Sequence, residues 1–197
     1  MATELFADLL QTANVPQATS NATQWLKEQA QLTSMSRNLA NPKTILANHT
    51  ERLIAKPLIG RMYLFAYDPK YKEELPYYDK FPLVFPFRSA GQGFYGINMH
   101  YLPHILRARL MDALYPLVNN TKQDDTTKLR ISYNILAGAS KYKYFKPCVK
   151  HYLNSHLKSR FLWIPADQWN TALFLPLERF VGATRQQVFT DSRRMVR

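Results

Sequence analysis

The sequence contains one cysteine, Cys148, which excludes an internal disulfide framework and any multi-cysteine zinc site. Glycine is scarce, at six of 197 residues, and no period recurs, so collagen-like, repeat and low-complexity classes are removed. No apolar run reaches the roughly 18 residues of a membrane-spanning helix, and Glu4 and Asp8 interrupt the short apolar pattern at the N-terminus. The expectation is a soluble, unexported protein. Acidic residues are the most telling shortage: there are 14 against 26 Lys and Arg, and none lies between Thr126 and Ala166.

What is present is apolar mass and positive charge. A hydrophobic content of 46%, with 13% aromatic residues, is enough for a real core. The net charge of +12 is uneven, at +2 for residues 1–100 and +10 for residues 101–197. Lys128, Arg130, Lys141, Lys143, Lys146, Lys150, Lys158 and Arg160 occupy the acid-free stretch. Such a field concentrates a polyanion, most obviously nucleic acid, with double-stranded DNA one candidate partner. The run Lys141–Lys150 interleaves these cations with Tyr142, Tyr144 and Phe145, a mixture that neutralises phosphates while stacking on bases. The bland alternative is a solvated lysine face beside core aromatics, and an acidic protein subunit is a third partner for the same charge.

Periodicity predicts a helix at the N-terminus, where Leu5, Phe6, Leu9 and Leu10 share a face before Pro16, and a weaker one over Thr23–Ser34. Residues 1–56 are read as a helical arm and residues 57–197 as one mixed domain. Within it, Met62, Leu64 and Ala66 alternate with Tyr63, Phe65 and Tyr67, the pattern of a strand buried on both sides. Leu83–Phe87 and Phe94–Met99 read as a hairpin, with Pro82 and Pro86 confining the first strand to an edge or a bulge. Helices are expected from Pro103 to Leu117, over Thr126–Ser140 on length, from Pro147 to Leu157, and from a Thr184 cap to Arg194, with a strand over Arg160–Ile164. The fold class is α+β: a small antiparallel sheet or SH3-like barrel surrounded by helices, with a helical N-terminal arm.

Catalytic and metal sites find no support in the spacing. His100 and His104 are split by Pro103, His151 and His156 are five apart, and no intervening Glu or cysteine cluster completes a zinc site. Cys148 reads as an ordinary buried thiol. Asp124-Asp125 and Glu73-Glu74 lack further carboxylates at metal-binding spacing, and Gly91-Gln-Gly93 lacks the following Lys-Ser or Lys-Thr of a phosphate loop. No enzyme, cofactor or metal is therefore expected. Tyr77, Tyr78 and Phe81, in a proline-stiffened aromatic stretch, are candidate subunit-docking residues together with Leu5, Phe6, Leu9 and Leu10, although filling the core is the favoured role of the aromatics.

Three strings, Gly60-Arg-Met-Tyr-Leu-Phe-Ala-Tyr-Asp-Pro69, Leu75-Pro-Tyr-Tyr-Asp-Lys-Phe-Pro-Leu-Val-Phe-Pro86 and Gly93-Phe-Tyr-Gly-Ile-Asn-Met-His-Tyr-Leu-Pro103, resemble a family of virion proteins from T4-like contractile-tailed phages. Tyr142-Lys-Tyr-Phe-Lys-Pro-Cys148 and Ala172-Leu-Phe-Leu-Pro176, followed by Phe180, continue the likeness, which covers about residues 60–195 and leaves the arm before Arg37 outside. The resemblance implies a non-enzymatic structural and assembly protein of the virion, made in the host cytoplasm and placed in the neck or tail. Its implied role is that of a DNA end protector or a tail or baseplate hub component. Its implied partners are other virion subunits in a ring or multisubunit complex and the packaged DNA end, without membrane insertion. The alternatives are a stand-alone basic nucleic-acid-binding module with no virion role, and a hydrolase whose site is scattered along the sequence.

Overall fold

The computed structural model describes residues 41–169 and 177–195. The expected helices at Leu5–Leu10 and Thr23–Ser34 lie outside the described residues. The first described element is α1 (Pro42–Asn48), where Pro42 suits the first turn and the Asn41 side chain accepts a hydrogen bond from the Lys43 amide. It buries Ile45 in the core. Residues 42–54 stand on the arm side of the boundary drawn from sequence, yet β1 (Leu53–Ile54) pairs with β7 (Phe161–Ile164) inside the main sheet.

The strands between are β2 (Met62–Leu64), β3 (Tyr78–Asp79), β4 (Leu83–Ala90), β5 (Gly93–Asn98) and β6 (Val149–Leu153), and β8 (Phe180–Val181) follows β7. Among the described residues they form a six-stranded antiparallel sheet ordered β1-β7-β2-β4-β5-β6 and a separate β3-β8 pair. Of the two expected forms, it is an open sheet ending at β1 and β6. As the alternation required, β2 is buried on both faces. Met62 and Leu64 join the main core with Leu83, Phe85, Ile97 and Leu162, while Tyr63 and its neighbour Phe65 join Val84, Phe94, Tyr152 and Phe161 in a second, aromatic cluster. There Phe65 meets Phe161 and Tyr152 edge-on, with ring centroids 5.0 and 5.2 Å apart.

Although β4 lies inside the sheet, it tolerates Pro86 because its register with β5 slips between Pro86 and Arg88, and β2 pairs only with Leu83 and Val84. The bulge, not the edge, accommodates the proline. At the hairpin, Gly91 takes φ +53°, whereas Gly93 is needed for space: a Cβ there would run into the Tyr152 carbonyl of β6.

Against the main core lie α2 (His104–Val118), which begins after Pro103 and ends at Asn119, and α3 (Asp125–Lys141), which packs on α2 and on β4. The Asp124 carboxylate caps α3, accepting hydrogen bonds from the Thr127 amide at 2.9 Å and its hydroxyl at 2.7 Å, and these bonds hold its pKa below the usual range. The terminal helix, α4 (Arg185–Arg194), starts at the expected Thr184 cap. The helix expected over Pro147–Leu157 is absent. Lys143–Cys148 forms 3₁₀ turns, Val149–Leu153 is β6, and Asn154–His156 is another 3₁₀ turn. Pairing with five residues of β5 outweighs the local helical pattern there, because the partner strand supplies backbone hydrogen bonds and buries Tyr152.

Candidate nucleic-acid interface

Arg130, Tyr133, Asn134, Gly138 and Lys141 are all exposed and recur every three or four residues, so they form one solvent face of α3. At its C-terminal end the face runs into the 3₁₀ turn, where Tyr142 is 67% and Tyr144 48% exposed and Lys143 and Lys146 are exposed beside them. Lys143 Nζ lies 5.2 Å from the Tyr144 ring centroid. A Cβ at Gly138 would meet nothing within 4 Å, so the middle of the face is open to the approach of another molecule. Phe145 instead packs on the core.

The remaining cations stand elsewhere. Lys150, on β6, is half-buried with Nζ 4.1 Å above the Tyr101 ring, and burial lowers its pKa. Lys158 is exposed with its ammonium 3.9 Å from Asp68 Oδ2, and Arg160 is exposed just before β7. Lys128 faces a cavity of about 270 Å³ at the N-terminal end of α3. Asp125, Lys128, Leu129 and Ser132 supply one wall at i, i+3, i+4 and i+7, while residues 58–61, Trp163 and Ile164 supply the other. Gly60 adopts φ +81° with Ser132 directly against it, and a Cβ would stand 2.5 Å from the serine Cβ. The Tyr63 hydroxyl accepts a hydrogen bond from the Leu58 amide at 3.0 Å, which orders the same loop. At the cavity wall the Arg61 guanidinium lies 5.0 Å from the Trp163 ring centroid.

Of the proposed docking residues, Phe81 is buried in the core and Tyr77 is half-buried against Tyr101 and Phe180, while Tyr78 is half-buried in β3. Leu5, Phe6, Leu9 and Leu10 lie outside the described residues.

Residues 12–194 match the family described as the phage T4 terminal DNA protecting protein. The chain belongs to that family. No curated protein and no solved structure matches it. The match begins at residue 12, so most of the stretch before Arg37, left outside the resemblance by sequence reading, falls within the DNA-protecting family's region.

In this family member the exposed tyrosines of the acid-free stretch, Tyr133, Tyr142 and Tyr144, lie on α3 and the turn that follows it, among exposed Arg130, Lys141, Lys143 and Lys146. Sequence reasoning missed two groupings. Arg61 and Trp163 meet only because β2 and β7 pair, and the strings that contain them carry no sign of that register. Arg88, Tyr95 and His151 stack across β4, β5 and β6, with Arg88 4.5 Å over the Tyr95 ring and His151 parallel to it at 4.7 Å. A helical reading of residues 147–157 hides that ladder. The Cys148 thiol is buried, and burial pushes its pKa up to about 12, far from a thiolate nucleophile at neutral pH. Among the described residues no group of three or more His, Cys, Asp or Glu is placed to hold a metal, and no helix is long and apolar enough to cross a membrane.

Proposed function

We propose that this protein binds the ends of phage DNA through the exposed face of α3 and the Lys143–Cys148 turn, acting as a non-enzymatic cap. The observation that carries this reading is the juxtaposition of Arg130, Lys141, Lys143 and Lys146 with exposed Tyr133, Tyr142 and Tyr144 in a stretch without any carboxylate. Cations neutralise phosphates without regard to sequence, which suits a protein that must act on whatever base pair ends a genome. Tyrosines add a stacking surface that is equally indifferent to base identity. Membership of a DNA-protecting family supports the choice of DNA over an acidic subunit as the partner of this face.

The reading includes residence in the virion, at the neck or tail, with Leu5, Phe6, Leu9 and Leu10 as an apolar stripe that docks on a neighbouring subunit of a larger complex. Salt titration of duplex binding tests the central claim. Joint replacement of Lys141, Lys143 and Lys146 by Gln weakens binding to all sequences alike and lowers the logarithmic salt slope by about 0.9 for each phosphate no longer neutralised. A variant with unaltered affinity and slope overturns the assignment of this face to DNA. A variant that binds DNA normally but fails to enter particles assigns the face to a protein neighbour.

A further inference from the structure

The cavity beside α3 continues the exposed face of that helix, since Leu129 both lines the cavity and is 41% exposed. Its lining includes buried Trp169, half-buried Trp163 with the Arg61 guanidinium over its ring, and a second half-buried cation, Lys128. Neither cation forms an ion pair with a carboxylate among the described residues; the one carboxylate in the lining is Asp125. The volume of about 270 Å³ sits just below the ~300 Å³ at which pockets for drug-sized ligands begin, a scale suited to one flat heterocycle with a single charged substituent. A guanidinium plane held on an aromatic ring, with a second cation beside it, is chemistry that recognises a base and its phosphate, and Asp125 adds an acceptor for a base amino group.

We propose that this cavity takes one unpaired base from a DNA terminus, which stacks on the Arg61 guanidinium held over Trp163 while Lys128 neutralises the adjoining phosphate. The inference rests on the DNA-binding reading above and gives it a source of end preference. Extracting a base costs unstacking and unpairing, and least where the base is already loosened. A terminal base has a stacking neighbour on one side only, so the same pocket is filled more cheaply at an end than within a duplex. The helix face then tracks the backbone leading away from the terminus.

The test compares two probes, a short blunt duplex and the same duplex closed at each end by a non-nucleotide linker, and reads the ratio of their affinities. The wild-type protein prefers the open duplex by roughly 5- to 150-fold, the worth of one stacked base. Trp163→Leu, which removes the ring beneath Arg61 and keeps an apolar residue in β7, brings the ratio toward one. So does the double variant Arg61→Gln and Lys128→Gln, which leaves the strand intact and carries the test if Trp163→Leu does not fold. Equal wild-type affinity for both probes overturns the pocket while leaving the DNA-binding face in place. A preference that survives both variants also overturns it. Failure to bind either probe overturns the DNA-binding reading itself and the pocket with it.

Discussion

Asp79 Oδ2 lies 2.6 Å from His100 Nδ1, and both side chains are shut away from solvent. Asp79 belongs to β3 in the small sheet and His100 to the 3₁₀ turn after β5 in the large one, so the contact ties the two sheets together. The same carboxylate accepts hydrogen bonds from Asn98 Nδ2 at 3.3 Å, from the Phe81 amide at 3.1 Å and from the Arg179 amide at 3.3 Å. Nearby, the buried Arg107 donates from Nε to the Leu102 carbonyl and from Nη2 to the His100 carbonyl, at 2.8 and 3.3 Å.

Asp79→Asn is expected to destabilise the fold by about 3–5 kcal/mol, because it removes one partner of a buried pair and places amide hydrogens where the carboxylate accepted. Chemical denaturation measures this directly. A loss below about 1 kcal/mol would show that the Asp79–His100 contact contributes little to joining the sheets.

Acid should lower the protein's stability over two overlapping pH windows. Burial and then the Arg107 charge hold the His104 pKa down at about 3, against 6.5 for a free imidazole. Between those values the unfolded chain takes up a proton that the native one refuses, so stability falls as pH drops from 6.5 toward 3. Burial pushes Glu178 up, but Arg107, His100 and Arg185 together pull it down to about 2, and Arg185 Nη1 donates to it at 2.9 Å. Its contribution is complete above 4.5 and is lost as pH falls toward 2. His104→Gln should therefore flatten the stability profile between 3 and 6.5 and leave the steeper loss below 4.5. A profile unchanged between 5 and 6.5 would show that His104 titrates normally.

Lys150 separates structural from DNA-facing charge. Its ammonium over Tyr101 is partly desolvated, so Lys150→Met should leave the DNA salt slope unaltered and the melting temperature equal or higher, because the apolar stem is kept while a charge leaves a half-buried site. A slope reduced by about 0.9 would instead place Lys150 on a phosphate.

Elements whose pattern agrees with their surroundings were legible in the sequence. The alternation of Met62 to Tyr67 announced a strand with two buried faces, Thr184 announced the start of α4, and Asn119 the end of α2. Residues 147–157 mislead because Pro147 suits a helix start, and only the neighbouring β5 makes Val149–Leu153 a strand. For the candidate site, the cations and tyrosines of residues 130–146 were visible as a composition. That Lys150 turns toward Tyr101 and Lys128 toward the cavity depends on which side of each element faces the core. Asp79 and His100 carried no sign of each other, since they stand 21 positions apart with two strands between them.

The position of β7 between β1 and β2 bears on how the chain is synthesised. β2 can pair with β4 as soon as the hairpin of residues 83–98 has emerged, but its other edge stays open until Phe161–Ile164 leave the ribosome. At ~5–20 residues per second, the hundred residues from Leu64 to Ile164 take roughly 5–20 seconds to translate. Throughout that interval the nascent chain displays unpaired amides and carbonyls along a wholly apolar and aromatic strand, the kind of edge on which extended segments of other chains align. The chain is therefore most open to misassociation before Phe161–Ile164 exist, and slower translation lengthens the exposure.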